Sequence, residues 1–376
     1  MNDYFTATVA HLQQRTGHLT SLITRGLGRD VDALVVICRQ RLNSVNERLA
    51  RLITLPQFSR AENQLLRFRH LRRAVDDLDF LEAVPIAALR RWNDDDRRMN
   101  HLAERVAREI VYPLSTPVVT CSSETYYHTY TWLGLIRVPL AETRFLLHIP
   151  DLYHELAHPL LEQPNDPRIG AFQSSCALAL NAANAYVASE LDRETGGRGP
   201  DSFTTFLGTW LRAWEGWAVE LFCDLFAVYV LGPAFAWSHL HLCALRGNED
   251  PFRTPTLVPT EHPPDAARMA ALLHALRLIN HDKAADAIQS RWAEFLTAIA
   301  AQPSPEFRRC FPESLIRSFA QAALEGTESI GCKIVQPTIT DGDPIRSLLN
   351  EAWQHFWSSP ATYAEWEQSA IQRLYA

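Results

Sequence analysis

The chain has no Cys-x-x-Cys pair. Its seven cysteines, Cys38, Cys121, Cys176, Cys223, Cys243, Cys310 and Cys332, are scattered and odd in number. That pattern argues against a disulfide framework and fits a reducing cytoplasm. Basic charge is not in excess either: 36 Lys plus Arg stand against 43 Asp plus Glu, for a formal charge of -7 and an isoelectric point near 6.1. With no basic footprint, nucleic acid is not an expected partner. The first residues, from Met1 to Phe5, lack a basic segment followed by an apolar run, so no signal peptide is expected. The longest apolar run, Leu225 to Trp237, contains Gly232 and Pro233 and is too short for a bilayer, so no membrane span is expected. Against these absences stand 376 residues of 47% hydrophobic composition, enough to bury a full core in one large domain or in two to three smaller ones.

The apolar spacing is mostly helical. Val31, Val35, Cys38, Leu42, Val45, Leu49 and Leu52 alternate steps of four and three and draw one seam down a long helix that Pro56 ends. A second amphipathic helix carries Leu65, Phe68, Leu71, Val75 and Leu78, with Pro85 expected to close it. The pair is expected to form an antiparallel hairpin; a dimeric coiled coil has the same seam. Residues 125–132 and 144–149 are rich in β-branched and aromatic side chains and are expected to be strands, with Gly134 and Pro139 between them. A free edge of such a sheet holds an extended peptide well, although a plain structural hairpin has the same signature. Further on, helices are expected over 284–301, 312–324, 344–357 and from Pro360, with an irregular connection over 325–343 opened by Gly326. The fold class is therefore mostly α (α+β), in three regions: a helical 1–112, a core 113–282 with a small β-sheet, and a helical 283–376.

The chemistry concentrates in two places. After Pro150 and Asp151, which suit a helix opening, the chain reads His154-Glu-Leu-Ala-His158. Two histidines four residues apart share a helix face and can point at one cation, with Glu155 on the adjoining flank. Composition alone supplies this pattern on the order of a few per cent of the time in a chain of this size, so it needs companions. They lie in the apolar stretch from Trp217 to Leu231, which is broken only by Glu220 and Asp224. A buried carboxylate without a partner costs several kcal/mol or takes up a proton. A catalytic zinc takes three protein ligands and keeps one position for water. Glu220, 62 residues beyond His158 and past the loop 196–200, is the best third ligand. Asp224, one turn on, is placed to accept the free N–H of a ligating histidine. Alternatively Asp224 is itself the ligand, or Glu215 is, or Trp and Tyr donors satisfy the two acids with no metal at all.

His-Glu-x-x-His followed about sixty residues later by Glu-x-x-x-Asp in an apolar helix resembles the gluzincin metallopeptidases of the CAAX-prenyl-protease type. Thr260-Glu-His-Pro-Pro-Asp-Ala-Ala-Arg268 resembles the Thr-His-Pro-Pro segment of those proteins, with one residue inserted. The resemblance covers about residues 144–275. It implies a zincin-like helical core with Zn2+ on His154, His158 and Glu220, Glu155 as general base, and Asp224 orienting a ligand. Two departures are plain: Pro159 follows the second histidine at once, where a kink is expected, and the Asn-Ala segment usual before the motif is missing.

The loop 246–264 carries prolines at 251, 255, 259, 263 and 264, too many for regular structure. His262 within it is a transition-state donor, a further zinc ligand that shuts the site, or a cap of the next helix. Arg268 steadies an oxyanion or pairs with an acid on the Glu220 helix. His239 and His241 diverge on a helix and are expected to be structural. These parts suit hydrolysis of a peptide or protein substrate by metal-activated water, with Glu155 taking the proton. Two other readings use the same residues: a zinc amidohydrolase of a small substrate, and a silent zincin-like scaffold held shut by His262 that serves as a binding or regulatory protein.

Overall fold

The computed structural model describes residues 2–23, 29–124, 126–164, 166–195, 204–247, 249–337 and 343–375. The loop 196–200 lies outside them, as does Thr125 of the first expected strand. Helices dominate, with one three-stranded sheet, so the fold is mostly α within the α+β class. The contacts group the chain into two compact units, residues 1–101 with 117–140 and residues 102–116 with 141–376. The sheet thus clusters with the N-terminal helices and the C-terminal helices with the remainder, a division that differs from the three consecutive regions expected.

In the first unit, α1 (Asn2–Leu22), α2 (Asp32–Thr54) and α3 (Gln64–Leu81) pack side by side. Every member of the apolar seam from Val31 to Leu52 is buried. Arg67 on α3 donates to the Leu52 carbonyl at 2.9 Å, and Arg48 pairs with Asp77. Low numbers on α3 thus meet high numbers on α2, the expected antiparallel hairpin. Pro85 does not close the second helix. The chain passes it in a wider π-type turn, Glu82–Ile86, and continues into α4 (Ala87–Arg91), because a π turn accommodates the proline ring that would clash in an α-helical one. Helix α5 (Asp94–Glu109) follows, with Asn93 Oδ1 accepting from the Asp95 amide at 2.8 Å.

The sheet comprises β1 (Val118–Ser123), β2 (His128–Tyr130) and β3 (Leu135–Pro139) in the order β1-β3-β2, with β3 parallel to β1 and antiparallel to β2. Only part of the expected 125–132 strand forms; Thr131–Leu133 is a tight turn. The expected strand over 144–149 is absent. Glu142–Arg144 is a short 3-10 turn, His148 Nδ1 sits 3.3 Å from the buried Glu142 carboxylate, and the Leu146 amide donates to Glu367 at 2.8 Å. The Glu367 carboxylate thus takes up an amide that a sheet ladder would have used.

The second unit is built around one helix. Helices α6 (Asp151–Glu162), α7 (Gly170–Thr195), α8 (Thr204–Leu231), α9 (Pro233–Arg246), α10 (Asp265–Leu278), α11 (Asp282–Ala298), α12 (Pro305–Cys310), α13 (Glu313–Ser329), α14 (Pro344–Ser358) and α15 (Tyr363–Tyr375) make up its bulk. Helix α8 packs against α6, α7, α9, α10 and α13. From Leu221 to Leu231 it has no exposed residue, the burial expected of a helix apolar all round. Gly232, at φ 94°, turns the chain from α8 into α9 through backbone space that a side chain would strain.

Gly326 does not end its helix: α13 runs through it to Ser329. A Cβ there would lie 3.0 Å from Phe172 Cδ2 and 3.1 Å from Ser175 Cβ on α7, so the glycine permits a close helix approach. Gly326→Ala gains about 1 kcal/mol of helix propensity but overpacks a buried contact at a cost of about 1–3 kcal/mol. The variant is expected to unfold at lower urea concentration than the parent, and an unchanged or higher midpoint counts against this packing.

Candidate metal centre

Helix α6 is buried from Asp151 to Ala157, and Ser238 donates to Asp151 Oδ2 in its first turn at 3.2 Å. It continues three residues beyond Pro159 to Glu162, since a proline disturbs only the turn that precedes it. The His154 and His158 rings lie 5.1 Å apart at 73°, on the face turned to α8. Phe235 stacks on the other side of His154, with ring planes 14° apart.

Folding brings Glu220 between the imidazoles. One carboxylate oxygen lies 3.4 Å from His154 Nε2 and the other 3.8 Å from His158 Nε2. Zinc bonds of about 2.0–2.1 Å in tetrahedral array place ligand atoms about 3.4 Å from one another, so these separations fit a shared cation. Glu220 Oε2 is also buried and makes no hydrogen bond. A carboxylate oxygen left so is costly unless a cation balances it. Glu215, the rival ligand, is exposed.

Asp224, wholly buried, stands behind His154. His154 Nδ1 donates to Asp224 Oδ1 at 2.8 Å, which turns Nε2 to the Glu220 side. Arg268 of α10 donates twice to the same carboxylate, each bond 2.6 Å. Both Asp224 oxygens are thereby engaged away from the donor atoms of the cluster. Arg268 is committed to this pair, the second of its two expected roles, and an oxyanion role is not what its geometry serves. Burial pushes the Asp224 carboxyl up, but the Arg268 charge and its hydrogen bonds hold it well below the usual carboxylate range. Burial likewise opposes charge on His154, yet the bond to Asp224 and the negative charges of Asp224 and Glu220 prevail and push it up to about 10. Against its own burial, Glu220 is held at about 2 by His154, His158 and His262.

His262 lies over the cluster with its Nε2 3.3 Å from Glu220 Oε2, while the ring stays 60% exposed. The proline-rich segment holds it there. Trp217 Nε1 donates to Thr260 Oγ1 at 3.2 Å, Thr260 donates to the His262 carbonyl at 2.9 Å, and Trp210 Nε1 donates to the Pro255 carbonyl at 3.2 Å. Gly216 allows the contact, because a Cβ there would come within 3.3 Å of the Glu261 carbonyl oxygen. Glu155 is buried on α6 between the two histidines.

Two neighbours were not foreseen. Cys223 Sγ and donor nitrogens of His154 and His158 all lie within 4.8 Å of one another, which makes Cys223 a second candidate for the third position. Its signal was available, since it sits three residues after Glu220 and so shares its face. Burial raises that thiol well above its ordinary range, whereas Glu220 brings one oxygen toward each imidazole. Glu162, four residues past His158, brings Oε1 to 3.5 Å from His158 Nδ1. A separate grouping of His239, Cys243 and Asp265 is already satisfied internally: His239 Nε2 meets the Asp265 carbonyl at 3.2 Å and Cys243 Sγ at 3.7 Å. Burial and the nearby Arg268 hold that imidazole down at about 4, neutral and structural as expected.

No protein-family model, curated protein or solved structure matches this chain. His154, His158 and Glu220 are thus a candidate site. Metal analysis tests it: zinc near one equivalent in the parent, in Glu215→Ala and in Cys223→Ser, and a loss of about tenfold or more in affinity in Glu220→Ala. Loss in Cys223→Ser with retention in Glu220→Ala would reassign the third position to sulfur.

Proposed function

We propose that this chain is a zinc-dependent peptidase with His154, His158 and Glu220 as metal ligands and Glu155 as general base. The observation that carries the reading is Glu220. A single carboxylate, brought from another helix, faces two Nε2 atoms and keeps one oxygen buried without a hydrogen bond. The arrangement agrees with the resemblance to gluzincins of the CAAX-prenyl-protease type. Among the described residues no helix is long and apolar enough to cross a membrane, which sets the chain apart from the membrane-bound members of that type. All seven cysteines are free, which suits the cytoplasm.

Bound zinc supplies an acidified water and polarises the scissile carbonyl. The rest falls to the chain. Asp224 fixes the His154 tautomer with its proton on Nδ1, so that Nε2 stays a ligand, and Arg268 keeps Asp224 ionised while it does so. Glu155 takes the proton of the attacking water and passes it to the leaving amine. Hydrolysis of a small amide by the same centre has the same residue requirements, and a peptide library separates the two.

His262 favours a second element of the reading, latency. Its Nε2 stands 3.3 Å from Glu220, on the exposed side where substrate must arrive. A scaffold with no turnover shares this geometry. Glu155→Gln is expected to retain zinc and to lose cleavage of a mixed peptide library by about a thousandfold or more. His262→Ala is expected to keep zinc and cleave faster. Zinc without cleavage in both the parent and His262→Ala favours the scaffold, and cleavage persisting in Glu155→Gln removes the proposed base.

A further inference from the structure

Helices α9, α11 and α14 of the second unit, with the segment 335–337, line a half-open cavity of about 630 Å³ whose lining shares no residue with the His154 cluster. That volume lies in the ordinary range of small-molecule sites, about 300–1,000 Å³. Three indoles form its aromatic side. Trp237 and Trp353 are nearly parallel, 21° apart with centroids 6.4 Å from each other, and Trp357 lies 5.2 Å from Trp237. The Arg291 guanidinium sits over the Trp357 ring, 5.0 Å from its centroid. Trp353 is buried behind the wall, so Trp237 and the exposed Trp357 offer the faces on which a further flat ring system can stack.

The charges of the wall specify the rest. Lys283, Arg291 and Arg346 stand against Glu294 and Asp343. Arg291 pairs with Glu294 at 2.7 Å, Arg346 lies 2.6 Å from Asp343 and 3.3 Å from Glu109, and Asp343 also takes Lys333 at 2.6 Å, so with these partners included one positive charge is in excess, and Lys283 stands on the rim. Two lining residues, His281 and Trp353, also keep a buried ring nitrogen without a hydrogen-bond partner, Nε2 and Nε1 respectively.

We infer that this cavity is a second binding site, for a planar aromatic ring system bearing one carboxylate, separate from the metal centre. The ring lies against Trp237 and Trp357, and the carboxylate is turned to Lys283.

Titration of the full chain with indole-3-carboxylate, followed by calorimetry and tryptophan fluorescence, tests the inference. One saturable site is expected, with weaker binding of neutral indole-3-carboxamide. Trp357→Ala is expected to weaken the carboxylate by about tenfold, and Lys283→Ala by about threefold while abolishing the preference over the amide. Both side chains are exposed, and equal thermal melting confirms that the variants fold. A metal chelator in every titration separates this site from the zinc centre, so the outcome is independent of the peptidase reading. No saturable binding, binding equal in both variants and parent, or binding that disappears with the chelator overturns the proposal.

Discussion

Asp224 has no contact with water and is held from two sides, by both Arg268 bonds and by the His154 imidazole. Breaking a buried pair by removing one partner costs about 3–5 kcal/mol, because the other charge is left without compensation. The three helices that meet at this carboxylate, α6, α8 and α10, are therefore mutually dependent. Arg268 neutralises the acid, the acid orients the histidine, and the histidine offers its free nitrogen to the place where Glu220 waits. Alteration at the α10 end of this chain of contacts reaches the imidazole without touching any donor atom of the cluster.

The surrounding apolar shell gives those contacts their strength. Helix α8 presents Leu221, Phe222, Leu225 and Phe226, all fully buried, around its two acids, and a low local dielectric magnifies each charge interaction. The same shell explains why no other arrangement suits the acids: without Arg268 and the imidazoles, both carboxylates would be driven to take up protons.

Much of this centre was legible in the order of residues. The four-residue spacing of His154 and His158, and the intrusion of Glu220 and Asp224 into an apolar helix, are periodic signals that do not depend on tertiary structure. Arg268 was legible as a partner for a buried acid, but its choice between Asp224 and a reacting oxyanion is made by the packing of α10 on α8. The Cys223 and Glu162 contacts follow from helix geometry and were accessible in principle. Elsewhere the seam from Val31 to Leu52 read correctly for the same periodic reason. What misled was local propensity overruled from a distance. Residues 144–149 have strand-like composition, yet Glu142 and Glu367 bind their polar groups. Pro85 and Gly326 have helix-breaking chemistry, yet one sits in a π turn and the other admits Phe172. The positions of β1 and β3 depend on pairing between segments, to which no single-segment pattern is sensitive.

The fastening of the proline-rich segment has an energetic consequence. Its ties to α8 include the indole bonds of Trp217 and Trp210, each a neutral hydrogen bond contributing a net of about 1 kcal/mol. Those indole bonds are each weaker than the charge-assisted contacts that hold Asp224, so of the two fastenings on α8 the proline-rich segment has the more readily exchanged one.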